Sequence, residues 1–236
     1  NPYTFRNFYN GAGVAIGDIN QDSLPDIFFA GNQQSNRLYL NTGELNFEDI
    51  TDKAGVNSTG SWSTGVSMAD VNGDGLLDIY VCKSGPMQGE RRHNELFINN
   101  GDLTFSKMNK DWGLDQKTLS NGAAYADLDN DGDMDLVVNN IDEKAFVYRN
   151  NAEKFAQNNY LKISLEGMGK NKWAIGAKVK VTAGGMTQTQ ELLNTRGYQS
   201  SVDLNLIFGL GKSASVDQVE VIWPDQKKQI KTKVQP

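Results

Sequence analysis

The chain contains 236 residues, of which 38% are hydrophobic and 22% charged, so it is long enough for one large or two modest domains with packed cores. Its net charge of −6 and the lack of a basic cluster exclude the electrostatic pattern of a nucleic-acid-binding protein. No apolar run reaches the ~18 residues of a membrane span and no signal-like segment starts the sequence, so we expect this chain to be soluble as given and to contain no leader, with a lost leader or lipid anchor as the open alternative. One cysteine allows no disulfide framework.

Three acidic nine-residue segments recur in the first two thirds of the chain. We name them loop one (residues 18–26), loop two (70–78) and loop three (127–135), and we number the residues of each as positions 1 to 9. Positions 1, 3, 5 and 9 carry side-chain oxygens, and the backbone carbonyl of position 7 can add another. Such a set suits a hard cation with about 6–8 oxygen ligands, which indicates Ca²⁺ rather than zinc or copper. The predicted ligands of three calcium ions are Asp18, Asn20, Asp22, Leu24 and Asp26; Asp70, Asn72, Asp74, Leu76 and Asp78; and Asp127, Asp129, Asp131, Asp133 and Asp135.

Position 7 of loop three differs from the others because Asp133 is itself acidic. Only its backbone carbonyl is needed as a ligand, so we expect its carboxylate to point to solvent.

The residues after each loop distinguish these segments from EF-hands. An EF-hand needs a glutamate at position 12 and helices on both sides, whereas position 12 is Phe29, Val81 or Val138 within runs of strand-forming residues. The loops are therefore predicted to join antiparallel strands. Ordinary polar turns are the alternative, because turns also use Asp, Asn and Gly. Three copies in register, each with carboxylates that repel one another, favour the cation.

Each loop belongs to a longer repeat of four predicted strands. A strand with small residues at alternate positions precedes each loop, and a third strand ends at Asn41, Asn99 or Asn150. A short fourth strand is expected near Phe47 and Phe105, with a weaker counterpart at Phe155. The loops start at residues 18, 70 and 127, and four strands within a period of about 50 residues are typical of β-propeller blades.

These units resemble FG-GAP or VCBS-type repeats, the calcium-loop blades of integrin-like propellers, over roughly residues 8–157. The resemblance departs mildly at Ser23, where the other two loops have Gly75 and Gly132. Propellers close with about 4–8 blades, and the sequence contains three, so we expect an incomplete ring. Sequence missing from this chain is the favoured source of further blades, and another chain is the alternative.

The second repeat contains an insertion, Ser84–His93, which we interpret as a solvated loop, with a binding role as the alternative. It includes His93, the only histidine of the sequence, and one histidine gives little support to a histidine-based triad or a histidine-rich metal site. The lone Cys82 lies in an apolar strand and is interpreted as a small buried hydrophobe rather than a nucleophile. Packing is also the interpretation favoured over sugar stacking for the four tryptophans, Trp62, Trp112, Trp173 and Trp223.

From residue 159 the acidic loop no longer recurs, and alternating strands predict a second, all-β, sandwich-like domain. The predicted domains are therefore 1–158 and 159–236. The second domain resembles the ASPIC/UnbV domain, which follows a calcium-loop propeller in the cartilage acidic protein family. It departs from that family at Asp225-Gln226, where a small residue and Gly are usual. The resemblance rests on Ala174-Ile-Gly-Ala-Lys-Val179, Arg196-Gly-Tyr-Gln-Ser-Ser201, Phe208-Gly-Leu-Gly211 and Val221-Ile-Trp-Pro224, in that order.

The resemblance implies a non-enzymatic, calcium-binding scaffold outside the cell or on its surface, with a periplasm-facing location also open. Such a scaffold would bind an unidentified protein or glycan. The alternative is a calcium-dependent polysaccharide lyase or hydrolase, or an accessory subunit of one. No catalytic residue is assigned, because each conspicuous carboxylate cluster already belongs to a predicted calcium loop.

Overall fold

A computed structural model describes residues 11–58, 62–84, 92–141, 143–155, 157–195 and 200–235. Its regular structure is almost entirely antiparallel β-sheet, as the alternating sequence patterns predict. No helix in these ranges has the length and apolar character needed to cross a membrane.

The first repeat forms a four-stranded sheet with the order β1-β2-β3-β4. Loop one joins the first two strands, and β2 begins at position 9 of that loop. A left-handed Gly55 ends the short helix that leads towards the next sheet. The elements are β1 (Val14–Gly17), β2 (Asp26–Phe29), β3 (Arg37–Gly43), β4 (Asn46–Asp49) and α1 (Thr51–Ala54).

The second repeat forms another four-stranded sheet, and the insertion contributes a short strand outside it. The strands are β5 (Trp62–Ala69), β6 (Asp78–Ser84), β7 (Arg92–His93), β8 (Glu95–Asn99) and β9 (Phe105–Lys107). The sheet order is β5-β6-β8-β9, while β7 pairs with β10 (Lys117–Thr118). The two ends of the insertion thus lie in strands rather than in a solvated loop, and residues 85–91 fall outside the described residues.

The third repeat forms a sheet of three strands, β11 (Ser120–Ala126), β12 (Asp135–Asn140) and β13 (Phe146–Tyr148). The fourth strand expected near Phe155 is wrong, because this residue ends the short helix α2 (Ala152–Phe155). The sequence Ala-Glu-Lys favours a helical turn, and the Phe155 ring, 86% exposed, has no sheet to pack against.

Consecutive sheets pack face to face, as propeller blades do. Alternation along β6 sends Ile79 and Val81 into the core shared with the first sheet, and Tyr80 and Cys82 into the core shared with the third. Cys82 is fully buried, as expected of a small hydrophobe, and burial raises the pKa of its thiol to about 12.

The first sheet keeps an open side. Val14 and Ile16 on β1 are 45% and 62% exposed, so no described residue covers that side as a preceding blade would.

The C-terminal region forms two sheets around a separate core. The strands are β14 (Asn159–Ser164), β15 (Lys178–Ala183), β16 (Met186–Glu191), β17 (Asn205–Gly211), β18 (Val216–Ile222) and β19 (Lys228–Val234). The sheet β14-β17 and the sheet β16-β15-β18-β19 share core residues that include Leu161, Val181, Phe208 and Val219. This arrangement agrees with the predicted sandwich-like domain.

The last strand was not predicted from the sequence. β19 is rich in lysine, which suits an exposed edge strand better than a buried one. The hairpin before it closes with Gln226 at a φ of 68°, the left-handed region that a glycine would adopt more easily.

Candidate metal centres

The three loops have one backbone frame, set by the aspartate at position 9. One oxygen of this carboxylate accepts the backbone N–H of position 2, and the other accepts the N–H of an asparagine in or just after the third strand of the repeat. Each oxygen keeps a second lone pair that a cation could share. The first contact joins Asp26, Asp78 and Asp135 to Ile19, Val71 and Leu128 at 2.9 Å, and the second joins them to Asn41, Asn99 and Asn150 at 2.8, 2.9 and 2.8 Å.

Those asparagines have a further role that the sequence analysis missed. The Asn99 amide donates to the carbonyl of Ile19 in loop one at 2.9 Å, and the Asn150 amide donates to the carbonyl of Val71 in loop two at 2.6 Å. Each therefore ties its blade to the preceding loop. Their recurrence at the same place in each repeat was the available signal.

Within loop two, the polar side chains at positions 1, 3 and 5 converge. Asp70 accepts backbone N–H groups of Gly73 and Gly75, both at 2.8 Å, and Asp74 accepts that of Leu76 at 2.8 Å. The Asn72 amide donates to Asp74 at 2.9 Å. Loop one repeats this pattern with Asp18, Asn20 and Asp22.

Several carboxylates of loops one and two lie in poorly hydrated surroundings. Burial raises the pKa of Asp26 to about 6 and that of Asp70 to about 7, and it raises the pKa of Asp78 well above its usual range. Repulsion from neighbouring loop carboxylates raises these pKa values further. Buried, mutually repelling oxygens are the donor set that a divalent cation would stabilise.

Loop three brings more carboxylates together than the other loops. Ligand oxygens of Asp127, Asp129 and Asp131 lie within 4.8 Å of one another, and so do those of Asp131, Asp133 and Glu153. One carboxylate oxygen of Asp133 and one of Glu153 are buried without a hydrogen-bond partner. These orphaned acceptors fit a cation at this end of the loop.

One expectation about this region changes, and one residue is new. The carboxylate of Asp133 does not simply point to solvent, because one of its oxygens is buried, and burial together with Asp131 raises its pKa to about 7. Glu153 lies in α2, 20 residues from Asp133, and nothing in the nine-residue pattern identified it.

Loop three also has basic partners. Arg149 Nε lies 2.7 Å from an Asp129 oxygen, and Arg149 Nη2 lies 3.2 Å from Asp131 Oδ2. Lys162 of β14 lies 3.0 Å from both Asp127 Oδ2 and Asn130 Oδ1. Within the described ranges, no lysine or arginine forms an ion pair with a carboxylate of loop one or loop two.

The C-terminal sheets lie directly against loops two and three. The N–H of Gly211 donates to the carbonyl of Gly73 at 3.0 Å, and a Cβ on Gly209 would lie 2.0 Å from Asp70 Oδ2. A Cβ on Gly132 would likewise meet the ring of Tyr160. The glycines of the Phe208-Gly-Leu-Gly211 motif let β17 approach loop two closely, because a larger side chain would not fit there.

Family comparisons agree with these two parts of the molecule. A model described as FG-GAP-like repeat matches residues 18–81 and 87–138, and a model described as ASPIC and UnbV matches residues 167–236.

Curated relatives match nearly the whole chain. Cartilage acidic protein 1 of Homo sapiens is 26% identical over an alignment of 279 positions, which covers 93% of this chain and 42% of the relative. The Mus musculus protein is 27% identical and the Xenopus tropicalis protein 25%, with coverage of 92% and 94% of this chain and 42% and 43% of the relatives. This chain thus spans about two fifths of their length. The chain thus consists of FG-GAP-like repeats followed by an ASPIC and UnbV domain, and it is similar to cartilage acidic protein 1 over nearly its whole length.

Proposed function

We propose that this chain is a non-enzymatic, calcium-binding scaffold that works outside the cell or at its surface, where it binds a protein or a carbohydrate. The observation that carries the proposal is the repetition of one carboxylate frame in three loops between blade strands. Adhesion is the type of task that such a scaffold would serve. We place the two domains of the scaffold at residues 1–158 and 159–236.

One Ca²⁺ in each loop would be held by the side chains at positions 1, 3, 5 and 9 and by the carbonyl at position 7. All these donors are oxygens, which suits a hard cation. The pKa values of Asp26 and Asp70 are raised because little positive charge lies near these carboxylates, and the ion would supply that charge. Loop one would use Asp18, Asn20, Asp22, Leu24 and Asp26; loop two Asp70, Asn72, Asp74, Leu76 and Asp78; and loop three Asp127, Asp129, Asp131, Asp133 and Asp135.

The extracellular location has two supports. The relatives are named for cartilage, and calcium modules of moderate affinity fill where calcium is abundant, outside the cell.

A cavity between the second and third blades supports carbohydrate binding. It has a volume of about 450 Å³, which suits a small ligand, and Trp112, Tyr125 and Tyr148 line it together with Asp111. Aromatic faces beside polar groups are suited to sugar rings. Two of the four tryptophans depart from the expected packing role, since Trp173 is 66% exposed and Trp112 lines this cavity.

The same cavity favours binding over catalysis. Its buried carboxylates, Asp78 and Asp135, each accept two backbone N–H groups, so they act as parts of the loop frame. A catalytic carboxylate would instead have to direct an oxygen at the substrate.

Calorimetric titration of the chelator-stripped chain with CaCl₂ tests the proposal. We expect three calcium ions per chain and a higher Tm, because a ligand that binds only the folded state stabilises it by about 2.7 kcal/mol per site at 100 times its Kd. Asp74→Ala should remove one ion and lower the stability of the second blade. Asp217→Ala, a change at an exposed aspartate of β18, is the control that should keep three. An unchanged melting curve in EDTA, together with no binding heat, would refute the calcium-binding function.

A further inference from the structure

The three loops differ in carboxylate charge. Loops one and two each contain three carboxylates, and loop three contains five. The two additional groups are Asp129, at position 3 where the other loops have asparagine, and Asp133, at position 7 where they have leucine. Five clustered carboxylates should repel one another more strongly than three, unless nearby positive charges offset them.

Arg149 supplies one positive charge to loop three. The neighbouring Tyr148 pairs with Leu136 as Tyr39 and Phe97 pair with the matching residues of the other second strands. The position of Arg149 is therefore occupied by Leu40 in the first blade and by Ile98 in the second. Its guanidinium contacts Asp129 and Asp131, which places a cation over positions 3 and 5.

Lys162 supplies the second positive charge, and it comes from the C-terminal domain. Its Nζ lies 3.0 Å from Asp127 Oδ2, on a side chain that is only 1% exposed, while the lysine side chain is 29% exposed. In loops one and two, the matching Oδ2 accepts the backbone N–H of position 6, from Ser23 or Gly75. Lys162 therefore occupies a contact that belongs to the loop itself in the other two repeats.

The two cations bring loop three back to the net charge of the other loops, because five carboxylates less two cations leave −3. A pair as buried as Asp127 and Lys162 also interacts more strongly than an exposed ion pair, since little water screens it. Any calcium ion in loop three must share these carboxylates with two positive charges already present.

We propose that Lys162 and Arg149 are built-in counter-cations that lower the calcium affinity of loop three. Calcium and Lys162 compete for Asp127, so filling of this loop is coupled to the contact between the third blade and the C-terminal domain. The coupling is reciprocal: whatever strengthens that contact weakens calcium binding, and the reverse. This inference rests on the proposed calcium-binding function.

Hydrogen exchange at increasing calcium concentration tests it on the full chain. Peptides that cover residues 127–135 report loop three, and those that cover 70–78 report loop two as an internal reference. In Lys162→Gln, we expect the calcium midpoint of loop three to fall about tenfold, as removal of one nearby positive charge predicts, with the midpoint of loop two unchanged. Arg149→Gln should shift the midpoint in the same direction by less, since this side chain is 57% exposed.

Two controls separate local from general charge effects. Lys228→Gln removes the same charge from an ion pair with Glu220 in the C-terminal sheet, and it should leave each midpoint in place. Lys162→Arg keeps the charge and should stay near the wild-type midpoint.

Unshifted midpoints of loop three in both Lys162→Gln and Arg149→Gln would overturn this inference alone, provided that the loops of the wild type respond to calcium. If no loop of the wild type responds, both this inference and the proposed function are overturned.

Discussion

Loop two and loop three have the same backbone frame but differ in how far nearby positive charges offset their carboxylates. Loop two has three carboxylates, a raised pKa at Asp70 and Asp78, and no ion pair to a described basic side chain. Loop three has five carboxylates and contacts from Arg149 and Lys162. The repeat therefore fixes the geometry of each loop. Residues outside the nine-residue motif determine how much carboxylate charge is left for a metal ion to neutralise.

The C-terminal domain contributes to this difference. It meets loop two with the backbone of β17, through Gly209 and Gly211, and it meets loop three with a charged side chain of β14. The first contact depends on close packing, and the second depends on charge. Variants that alter one contact at a time can therefore separate the two loops.

The largest expected effect comes from removing the shared frame. In EDTA, Asp78→Ala and Asp135→Ala should each lower the free energy of unfolding by about 3 kcal/mol, because each leaves two backbone N–H donors in or near the core without an acceptor. Urea unfolding measures the loss. Equal losses would sharpen the comparison by showing that the loops differ in charge and not in frame.

The exposed Asp217→Ala serves again as the control and should change stability by less than about 0.5 kcal/mol. A loss in Asp135→Ala of less than half that in Asp78→Ala would contradict the shared frame.

This frame is the part of the site that the sequence predicted best. The pattern Asp-x-Asn/Asp-x-Asp-x-x-x-Asp, followed by strand-forming residues, placed position 9 at the mouth of a strand, and β2, β6 and β12 begin there. The prediction worked because the signal is local and occurs three times. The fourth strand wrongly predicted at Phe155 had a single weak aromatic as its signal, and a helical turn was the stronger local preference.

The contacts that distinguish the loops could not be predicted in the same way. Lys162 is 35 residues from Asp127 along the chain, and its role depends on how β14 packs against the third blade. The glycines of Phe208-Gly-Leu-Gly211 were visible as a motif, but the need for a missing Cβ appears only when β17 lies against loop two. Long-range packing leaves little trace in the sequence of either partner.

A smaller effect should follow from crowding the contact at loop two. Gly209→Ala would place a methyl group 2.0 Å from Asp70 Oδ2 and 2.6 Å from the carbonyl carbon of Gly73, so the strand or the loop must shift. Such overpacking costs about 1–3 kcal/mol, and displacement of Asp70 should weaken the calcium response of loop two while that of loop three stays the same. Thermal unfolding and hydrogen exchange of residues 70–78 measure the two effects.

Asn205→Ala, at the opposite end of the same strand, is the matched control for Gly209→Ala. A wild-type Tm and calcium midpoint in Gly209→Ala would show that β17 does not hold loop two in solution.

The last expected effect is a dependence of stability on pH, which tests whether the carboxylates lack positive charge. The pKa values of Asp26, Asp70 and Asp133 are raised to about 6, 7 and 7, above the usual 3.8, so the folded chain binds more protons than the unfolded chain between these values. Calcium-free protein should therefore gain stability as the pH falls from 8 towards 5. Saturating calcium should reverse the trend, because protons then compete with the ion for the same oxygens.

Asp133→Leu, which gives loop three the position-7 residue of the other loops, should reduce this gain of stability at low pH in the calcium-free state. Urea midpoints at pH 5, 6, 7 and 8, with and without calcium, measure both trends, and a calcium-free chain that loses stability over this range would mean that its loops already hold enough positive charge.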